Sequence, residues 1–303
     1  ANWIHRNAKQ KKFFLWVDSF DPHEPAAAPR HYVDLYDPGY KGDEFLNHVR
    51  LERLTEAEIK NCKARYAASV TFVDRNVGRL LQAIDDAGLA DSTCVVWISD
   101  HGTHLAEHGA LFSKRCFFDE VARTVLMVRF PGMATAGKHF ADLVQPADLA
   151  PTLLELAEIP VPPRMQGKSY LPLLQGQAWK GREVAISGGN LGGATPEAMK
   201  ANRIVARDAR FVLVDSPNPA LRELYDTRND PGQTANAIRE FAGEADRLHG
   251  AVLEFLKTHE AQPQIVRLFE TGDPGDMTGY VARRPGMEHF QHYFTHLLNS
   301  ECV

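Results

Sequence analysis

The stretch Thr93-Cys94-Val95-Val96-Trp97-Ile98-Ser99-Asp100-His101-Gly102 joins a continuous apolar run to a polar turn at its carboxyl end. Such a run is typical of a strand buried on both faces of a layered sheet. Ligands of open α/β sheets bind beyond the carboxyl ends of the strands, so Asp100 and His101 are candidate ligands of a divalent metal. An N-cap aspartate beside a surface histidine explains the same turn equally well.

A predicted helix precedes this strand, and a second strand follows it. Thr55 and Glu58 have capping-box spacing, and Gly88 is a plausible C-cap. Residues 125–129 are predicted to form a strand that Pro131-Gly132 ends. Alternating helices and strands indicate an α/β fold. The helix is predicted from an apolar stripe at three- and four-residue spacings: Val70, Val73, Val77, Leu80, Leu81 and Ile84.

Two N-terminal segments complete the first half of the chain. Residues 13–17, Phe-Phe-Leu-Trp-Val, are predicted to form another strand buried on both faces. Residues 26–55 have little periodicity and many turn formers, so a long surface loop is expected. Farther along, residues 147–156 are predicted to be helical, with Asp148 near the start.

The hydrophobic pattern of the sequence changes after Gly181. Short apolar runs at 184–186, 203–206 and 211–214 alternate with turns, and a helix is predicted from about Asn236 to Lys257. This pattern indicates a small antiparallel sheet packed on one helix. The last residues, 261–303, have no clear pattern and are expected to be an extension of unknown structure.

Composition excludes several classes of protein. The 303 residues carry a formal net charge of -5, which suggests neither a nucleic-acid nor an anionic-membrane partner. No apolar stretch approaches the length of a membrane span, and no signal peptide is visible. The four cysteines lack CxxC spacing, so a zinc knuckle or a disulfide scaffold is not expected. The compartment is left open.

Four more residues are candidates for chemistry, and each has an ordinary alternative. Taken alone, Lys114 is more often a solvated surface charge, and His23 is more often a surface loop residue. His104 and His108 lie four apart, like half of a metal site, but a solvated turn explains them better. The sequence segments that contain these residues, taken together, favour a functional site over these ordinary alternatives.

Three segments, in order, resemble the sulfatase family of the alkaline-phosphatase superfamily. Residues 13–25, FFLWVDSFDPHEP, resemble the strand and loop that bring in an active-site histidine. Residues 93–109, TCVVWISDHGTHLAEHG, resemble the family's SD(H/N)G segment and GEHG-like turn. Residues 111–131 resemble the stretch in which a catalytic lysine precedes an acidic residue, an arginine and a strand ending in PG. Residues 143–167 and 224–231 are weaker matches.

The resemblance implies a fold and a role for each matched residue. It implies a three-layer α/β sandwich around a mostly parallel sheet, with catalytic-domain residues 1–182, a small antiparallel sheet and helix over 183–260, and the extension 261–303. Asp100 and His101 would bind the metal. His23 and Lys114 would be catalytic and would contact the ester, with His104 as a further substrate-binding residue.

The family's nucleophile and first metal ligands are not found in these residues. The family uses a formylglycine made from Cys or Ser in C/S-x-P-x-R, and no such motif occurs here. We therefore expect that segment, and a pair of acidic ligands, on a missing N-terminal segment or a partner chain, and expect the isolated chain to be inactive. Calcium is the favoured metal, and His101 also allows manganese, magnesium, zinc or iron.

The reaction itself has alternatives. A sulfatase acting on a small anionic sulfate ester is the favoured hypothesis. A hydrolase of phosphonate monoesters or phosphodiesters has the same architecture, and a non-catalytic subunit that kept the fold is a third hypothesis. A homo-oligomer is compatible with each of them.

Overall fold

The computed structural model describes residues 1–10, 12–44, 51–114, 118–132, 135–188 and 199–277. The chain divides into two compact units. The first contains Ala1–Lys114 and Val125–Ala136, and the second contains Arg115–Thr124 and Gly137–Val303. The domain boundaries expected after residues 182 and 260 stay predictions.

The first unit is built on one long helix. Helices α1 (Asn2–Asn7) and α2 (Arg30–Val33) pack against α3 (Glu56–Asp86). The predicted capping box at the start of α3 is present, with Thr55 accepting from the Glu58 amide and Glu58 from the Thr55 amide. The helix ends before Gly88, whose φ of 68° is left-handed, so the predicted ends of this helix are confirmed.

The buried side of α3 differs from the predicted stripe. Ile84 is buried, but Val70 is 43% exposed. The fully buried residues of α3 in the apolar clusters are mostly small, because neighbouring segments approach this helix closely, while Leu80 of the predicted stripe packs there partly buried. Cys62 packs on Leu111 and Phe112, Ala68 packs on Ala28, Tyr32 and Val33, and Ala83 and Ile84 pack on Ile4.

The two strands predicted around the SDHG turn are both present. Strands β1 (Val95–Ile98) and β2 (Leu126–Arg129) pair antiparallel, with Val95 opposite Arg129 and Ile98 opposite Leu126. Gly132, with a φ of 77°, turns the chain after β2 as predicted. Burial of β1 is only partial, and the described strand pairs of both units are all antiparallel.

The predicted strand at residues 13–17 is wrong for this structure. The segment lies in none of the described strands, and its side chains are exposed: Phe14 by 71%, Trp16 by 64% and Val17 by 58%. A strand forms only beside a hydrogen-bonding neighbour, and no described strand lies alongside this one. The expected long loop at 26–55 also contains α2 and a 3-10 turn, Leu51–Arg53, with residues 45–50 outside the described part.

The second unit contains α4 (Asp119–Ala122), and two further short helices follow it along the chain. Helix α5 (Leu149–Leu156) has Asp148 at its start, as predicted, and α6 (Leu171–Leu174) packs against it. The buried Asp148 carboxylate accepts from the amides of Gln145 at 2.8 Å and Lys168 at 2.6 Å and pairs with Arg182. This carboxylate therefore joins three separated segments.

The predicted antiparallel sheet is confirmed. Strands β3 (Ala185–Gly188), β4 (Ile204–Arg207), β5 (Phe211–Asp215) and β6 (Glu223–Asp226) follow one another in a four-stranded meander. Its apolar face packs on α7 (Ala242–Thr258), which begins six residues later than predicted. A helix absent from the prediction, α8 (Pro263–Thr271), closes this core with Ile265, Leu268 and Phe269. Residues 278–303 lie outside the described part.

Among the residues described, no helix has the length and apolar character needed to cross a membrane.

Gly167 tests the close packing around Asp148. A Cβ atom at Gly167 would meet the Ala147 carbonyl oxygen at 1.9 Å, and backbone cannot move aside cheaply. We expect Gly167→Ala to lower the free energy of unfolding by about 3 kcal/mol in urea titrations. The control is Gly250→Ala within α7, where the same atom meets nothing within 4 Å. That change should raise the free energy of unfolding by roughly 0.5–1 kcal/mol. Equal effects of the two substitutions would contradict the close packing described for Gly167.

Candidate functional site

Asp100 and His101 follow directly from the end of β1. The Ser99 amide donates to the Val125 carbonyl at 3.1 Å, and the Val125 amide donates to Ser99 Oγ at 3.0 Å. These two bonds extend the pairing of β1 and β2 by one residue and hold the turn where the sequence predicted it.

The two predicted metal ligands lie together. His101 Nε2 and Asp100 Oδ2 are 3.5 Å apart, and the Asp100 side chain is 63% exposed. His101 Nδ1 lies 2.8 Å from the Gly102 carbonyl oxygen, so it carries the proton and leaves the Nε2 lone pair available. A carboxylate oxygen and an imidazole nitrogen at this separation fit two positions of a divalent metal shell.

A hairpin connects this turn to Lys114. Leu105 and Leu111 form an antiparallel bridge. The Phe112 amide donates to His104 at 2.8 Å, and the His104 amide donates to Ser113 at 3.0 Å, so His104 lies opposite two residues as in a β-bulge. This register brings Lys114 beside the residues that immediately follow His101.

The hairpin is held in an unusual backbone conformation. Ala106, His108 and Phe112 have φ values of 87°, 50° and 51°, in the left-handed region that side-chain-bearing residues avoid. Strained residues persist only where the surroundings fix them, and they concentrate at functional sites. Here the fixing contacts include Leu111 and Phe112, which are buried against Cys62 of α3.

His23 lies in a compact turn. The His23 amide donates to the Phe20 carbonyl at 3.0 Å, and the Ala26 amide donates to the His23 carbonyl at 3.1 Å. The Phe20 ring packs on the imidazole with centroids 4.5 Å apart. His23 Nδ1 lies 2.7 Å from the Glu24 carbonyl oxygen, so the neutral ring is protonated on Nδ1 and Nε2 is an acceptor.

Lys114, His23 and Glu24 form one buried polar cluster. Lys114 Nζ lies 2.8 Å from His23 Nε2 and 2.6 Å from Glu24 Oε1. The Lys114 and Glu24 side chains are each only 7% exposed, while His23 is 34% exposed. Two residues that are 91 apart in sequence, His23 and Lys114, are therefore in direct contact.

Opposing effects act on the Glu24 carboxyl. Burial, the largest effect, raises its pKa, but the hydrogen bonds from Lys114 and from the Glu24 backbone, and then the positive charge of Lys114, lower it, and the net shift is downward. Burial, followed by the negative charge of Glu24, raises the pKa of the Tyr66 hydroxyl on α3. Glu24 is thus a charged group inside the first unit, and Lys114 is the cation that permits it.

Glu24 is the site residue that sequence reasoning missed. An acidic residue between a histidine and a proline in a polar loop looks like an exposed turn residue. The only available signal was its adjacency to His23, since its partner Lys114 lies 90 positions away.

The predicted substrate-binding residue His104 is fully buried, with 0% exposure. Its ring meets that of His108 edge-on with centroids 5.6 Å apart, so the two side chains are neighbours as their spacing suggested. In this structure His104 presents no exposed surface to a ligand, and its predicted contact with substrate stays a prediction.

Asp100 and His101 are two candidate ligands of a metal ion. No group of three or more His, Cys, Asp or Glu side chains suited to one metal ion occurs within the described residues. The donor set fits a divalent cation as two ligands, and further ligands would have to come from elsewhere in the protein.

Comparison with known proteins establishes the family. The chain matches the family model described as Sulfatase over residues 1–159 and the model described as N-sulphoglucosamine sulphohydrolase, C-terminal, over residues 106–257. The chain belongs to the sulfatase family. The resemblance seen in its sequence is therefore confirmed.

Relatives and solved structures agree with this placement. The arylsulfatase of Clostridium perfringens is 26% identical over 280 residues, covering 86% of this chain and 56% of the relative. BT4656, solved with its substrate D-glucosamine-2-N,6-O-disulfate, is 28% identical with a TM-score of 0.58, covering 69% of this chain and 44% of that one. The phosphonate monoester hydrolase of Agrobacterium radiobacter is 25% identical with a TM-score of 0.68, covering 93% and 63%.

The likeness to further solved structures confirms the alkaline-phosphatase-like α/β fold with its small C-terminal antiparallel sheet. The chain spans about half the length of the curated relatives it matches.

The buried ion pair predicts how stability depends on pH. Because the folded state holds the pKa of Glu24 below its ordinary value of 4.5, the pair stabilises the protein above that pH, and the contribution is lost as pH falls through the lowered pKa. Lys114→Met removes the ammonium that contacts the buried Glu24 carboxylate. At neutral pH we expect it to lower the free energy of unfolding by about 3 kcal/mol.

The cost of Lys114→Met should shrink on acidification, because a protonated Glu24 needs no cation. Urea titrations across this pH range would measure it. The control is Lys60→Met. The Lys60 side chain is 68% exposed beside Asp37, so its removal should lower the free energy of unfolding by less than Lys114→Met at neutral pH, and by little at any pH. A cost of Lys114→Met that does not change with pH would contradict the assignment.

Proposed function

We propose that this protein hydrolyses sulfate esters, with Lys114 and His23 binding the ester and Asp100 and His101 holding part of a divalent metal shell. The observation that carries the proposal is the buried Lys114 ammonium in contact with His23, within a chain matched by the Sulfatase model. The substrate would be a small molecule with an anionic ester group.

Lys114 has the geometry of an oxyanion-binding group. Its contacts with described residues, to Glu24 and His23, use two of its three N–H donors. The third donor can reach an oxygen of a tetrahedral ester. Because the ammonium is already fixed and largely desolvated, it stabilises charge that develops in the transition state without reorganising.

His23, in its protonated imidazolium form, would donate the Nε2 proton to the departing alkoxide and return to the neutral ring whose Nε2 accepts from Lys114. Nδ1 is engaged by the Glu24 carbonyl oxygen, so Nε2 is the atom that can exchange a proton. Nε2 already shares a hydrogen bond with Lys114, and the ring is about one-third exposed. Imidazole is the side chain that enzymes use most often for such a proton transfer.

The metal would be held in part by Asp100 Oδ2 and His101 Nε2. A bound divalent cation supplies Lewis-acid stabilisation of negative charge on ester oxygens. The Gly102 carbonyl orients the imidazole by accepting from Nδ1, and the His101 amide donates to Asp100 Oδ1 at 2.8 Å. Calcium is the favoured ion from the family resemblance, and the imidazole suits manganese or zinc as well.

The nucleophile is proposed to lie outside these 303 residues. No C/S-x-P-x-R motif occurs in them, and the matched relatives are nearly twice as long as the part this chain covers. A formylglycine on such a segment would supply the attacking oxygen. The activity described here is therefore proposed for the protein that includes that segment.

A second reaction has support from one comparison. The phosphonate monoester hydrolase of Agrobacterium radiobacter matches 93% of this chain. Phosphonate monoesters and sulfate esters share a tetrahedral centre and a single negative charge. The same four residues would serve both reactions, so cleavage of a P–O bond is the alternative.

Turnover of an aryl sulfate and an aryl phosphonate monoester by the full-length protein tests both reactions. We expect Lys114→Met to lower kcat/KM by about 100-fold or more, because one fixed donor to a developing oxyanion is worth that much. Lys60→Met is the matched control and should leave turnover unchanged. Turnover that survives Lys114→Met would contradict the proposed role, and no turnover of either ester by the wild type would favour a non-catalytic subunit.

Removal of the metal gives a separate test. Dialysis against a chelator should abolish turnover, and added calcium or manganese should restore it. Asp100→Asn removes a charged ligand, so it should raise the metal concentration needed for half-maximal activity by about tenfold or more. The control is Asp91→Asn, an exposed residue before β1. An unchanged metal requirement in Asp100→Asn would exclude Asp100 as a ligand.

A further inference from the structure

Glu24 has no role in the function proposed so far, yet its carboxylate is buried against the lysine of the site. Its Oε1 lies 2.6 Å from Lys114 Nζ, and its Oε2 lies 3.4 Å from His23 Nδ1. We infer that Glu24 sets the substrate class: its negative charge offsets the positive charge of Lys114, so that the site selects esters with one negative charge over phosphate monoesters with two. This inference rests on the proposed function.

The number of charges in the cluster supports this selection. Lys114 alone would present one positive charge to the ester, whereas Lys114 with ionised Glu24 presents none in sum. Sulfate esters, phosphonate monoesters and phosphodiesters carry one negative charge, and a phosphate monoester carries two near neutral pH. A second charge on the ligand would therefore meet the repulsion of Glu24 without a matching cation from Lys114.

Burial makes this repulsion effective. The Glu24 and Lys114 side chains are both 7% exposed, so water and salt screen the carboxylate weakly. The bond to Lys114 at 2.6 Å and the turn that carries His23 fix its position. The carboxylate is therefore held beside the ammonium that an anion would contact.

Hydrogen bonding alone does not require a carboxylate at this position. The side-chain carbonyl of a glutamine could accept the same bond from Lys114 and would hold the ammonium in place. The charge is what distinguishes glutamate from glutamine here. Glu24 is thus a positioning residue that also fixes the net charge of the cluster, and the substitution Glu24→Gln separates the two roles.

The experiment compares three esters on the full-length protein. The kcat/KM is measured for 4-nitrophenyl sulfate, for 4-nitrophenyl phosphate and for a 4-nitrophenyl phosphonate monoester. We expect Glu24→Gln to lower the sulfate-to-phosphate ratio by about tenfold or more, because one buried charge near the ligand is removed. The sulfate-to-phosphonate ratio should not change, since both ligands carry one charge. A structural defect would lower all three values together.

Two variants serve as controls. Asp37→Asn removes another buried carboxylate that accepts from a lysine, Lys60 at 2.7 Å, and should leave every ratio unchanged. Glu24→Asp keeps the charge on a shorter side chain, so it should keep the wild-type ratio even if total activity falls. Loss of the ratio in Glu24→Asp to the same extent as in Glu24→Gln would overturn the inference.

The wild type provides a measurement that does not depend on the folding of a variant. Phenylphosphonate, a dianion at alkaline pH, and its monomethyl ester, a monoanion, are compared as competitive inhibitors of aryl sulfate turnover. We expect the monoanion to inhibit at an equal or lower concentration, and stronger inhibition by the dianion would overturn the inference.

The outcomes separate the two proposals. A wild type without aryl sulfate or phosphonate turnover would count against the proposed function. An active wild type whose sulfate-to-phosphate ratio is unchanged in folded Glu24→Gln would count against the inference alone.

Discussion

The ion pair between Lys114 and Glu24 is the interaction on which the site depends. Two charges that are 7% exposed each lose most of their hydration, and only a close contact such as their 2.6 Å bond compensates for that loss. The pair ties the turn that carries His23 to the hairpin that follows Asp100 and His101. Removing either partner takes away the contact that compensates the other for its lost hydration.

The bulged hairpin gives that pair its place in the fold. Its register sets Lys114 beside the residues that follow His101, and its left-handed residue Phe112 is buried against Cys62 of α3. The proposed metal ligands and the proposed oxyanion-binding cation therefore belong to one short segment, 100–114. An ester bound there would contact the Lys114 ammonium and the metal ion, and the charge of Glu24 would favour esters with one negative charge.

Local patterns predicted most elements, and contacts over long distances caused the failures. The capping box at Thr55 and the short strands of the C-terminal sheet are encoded within a few residues, so their prediction succeeded. The run at 13–17 looks like a buried strand, but strand formation depends on a neighbour elsewhere in the chain. His23 and Lys114 were predicted from family motifs, whereas Glu24 was missed because its partner lies 90 positions away.

A crystal structure of the full-length protein with a divalent cation and sulfate or vanadate tests the central claim most directly. The account predicts that Lys114 Nζ bonds Glu24, His23 and one oxygen of the anion, and that anomalous scattering places the cation on Asp100 and His101. An anion bound with Lys114 turned away from it, or a cation held without Asp100 and His101, would contradict the account.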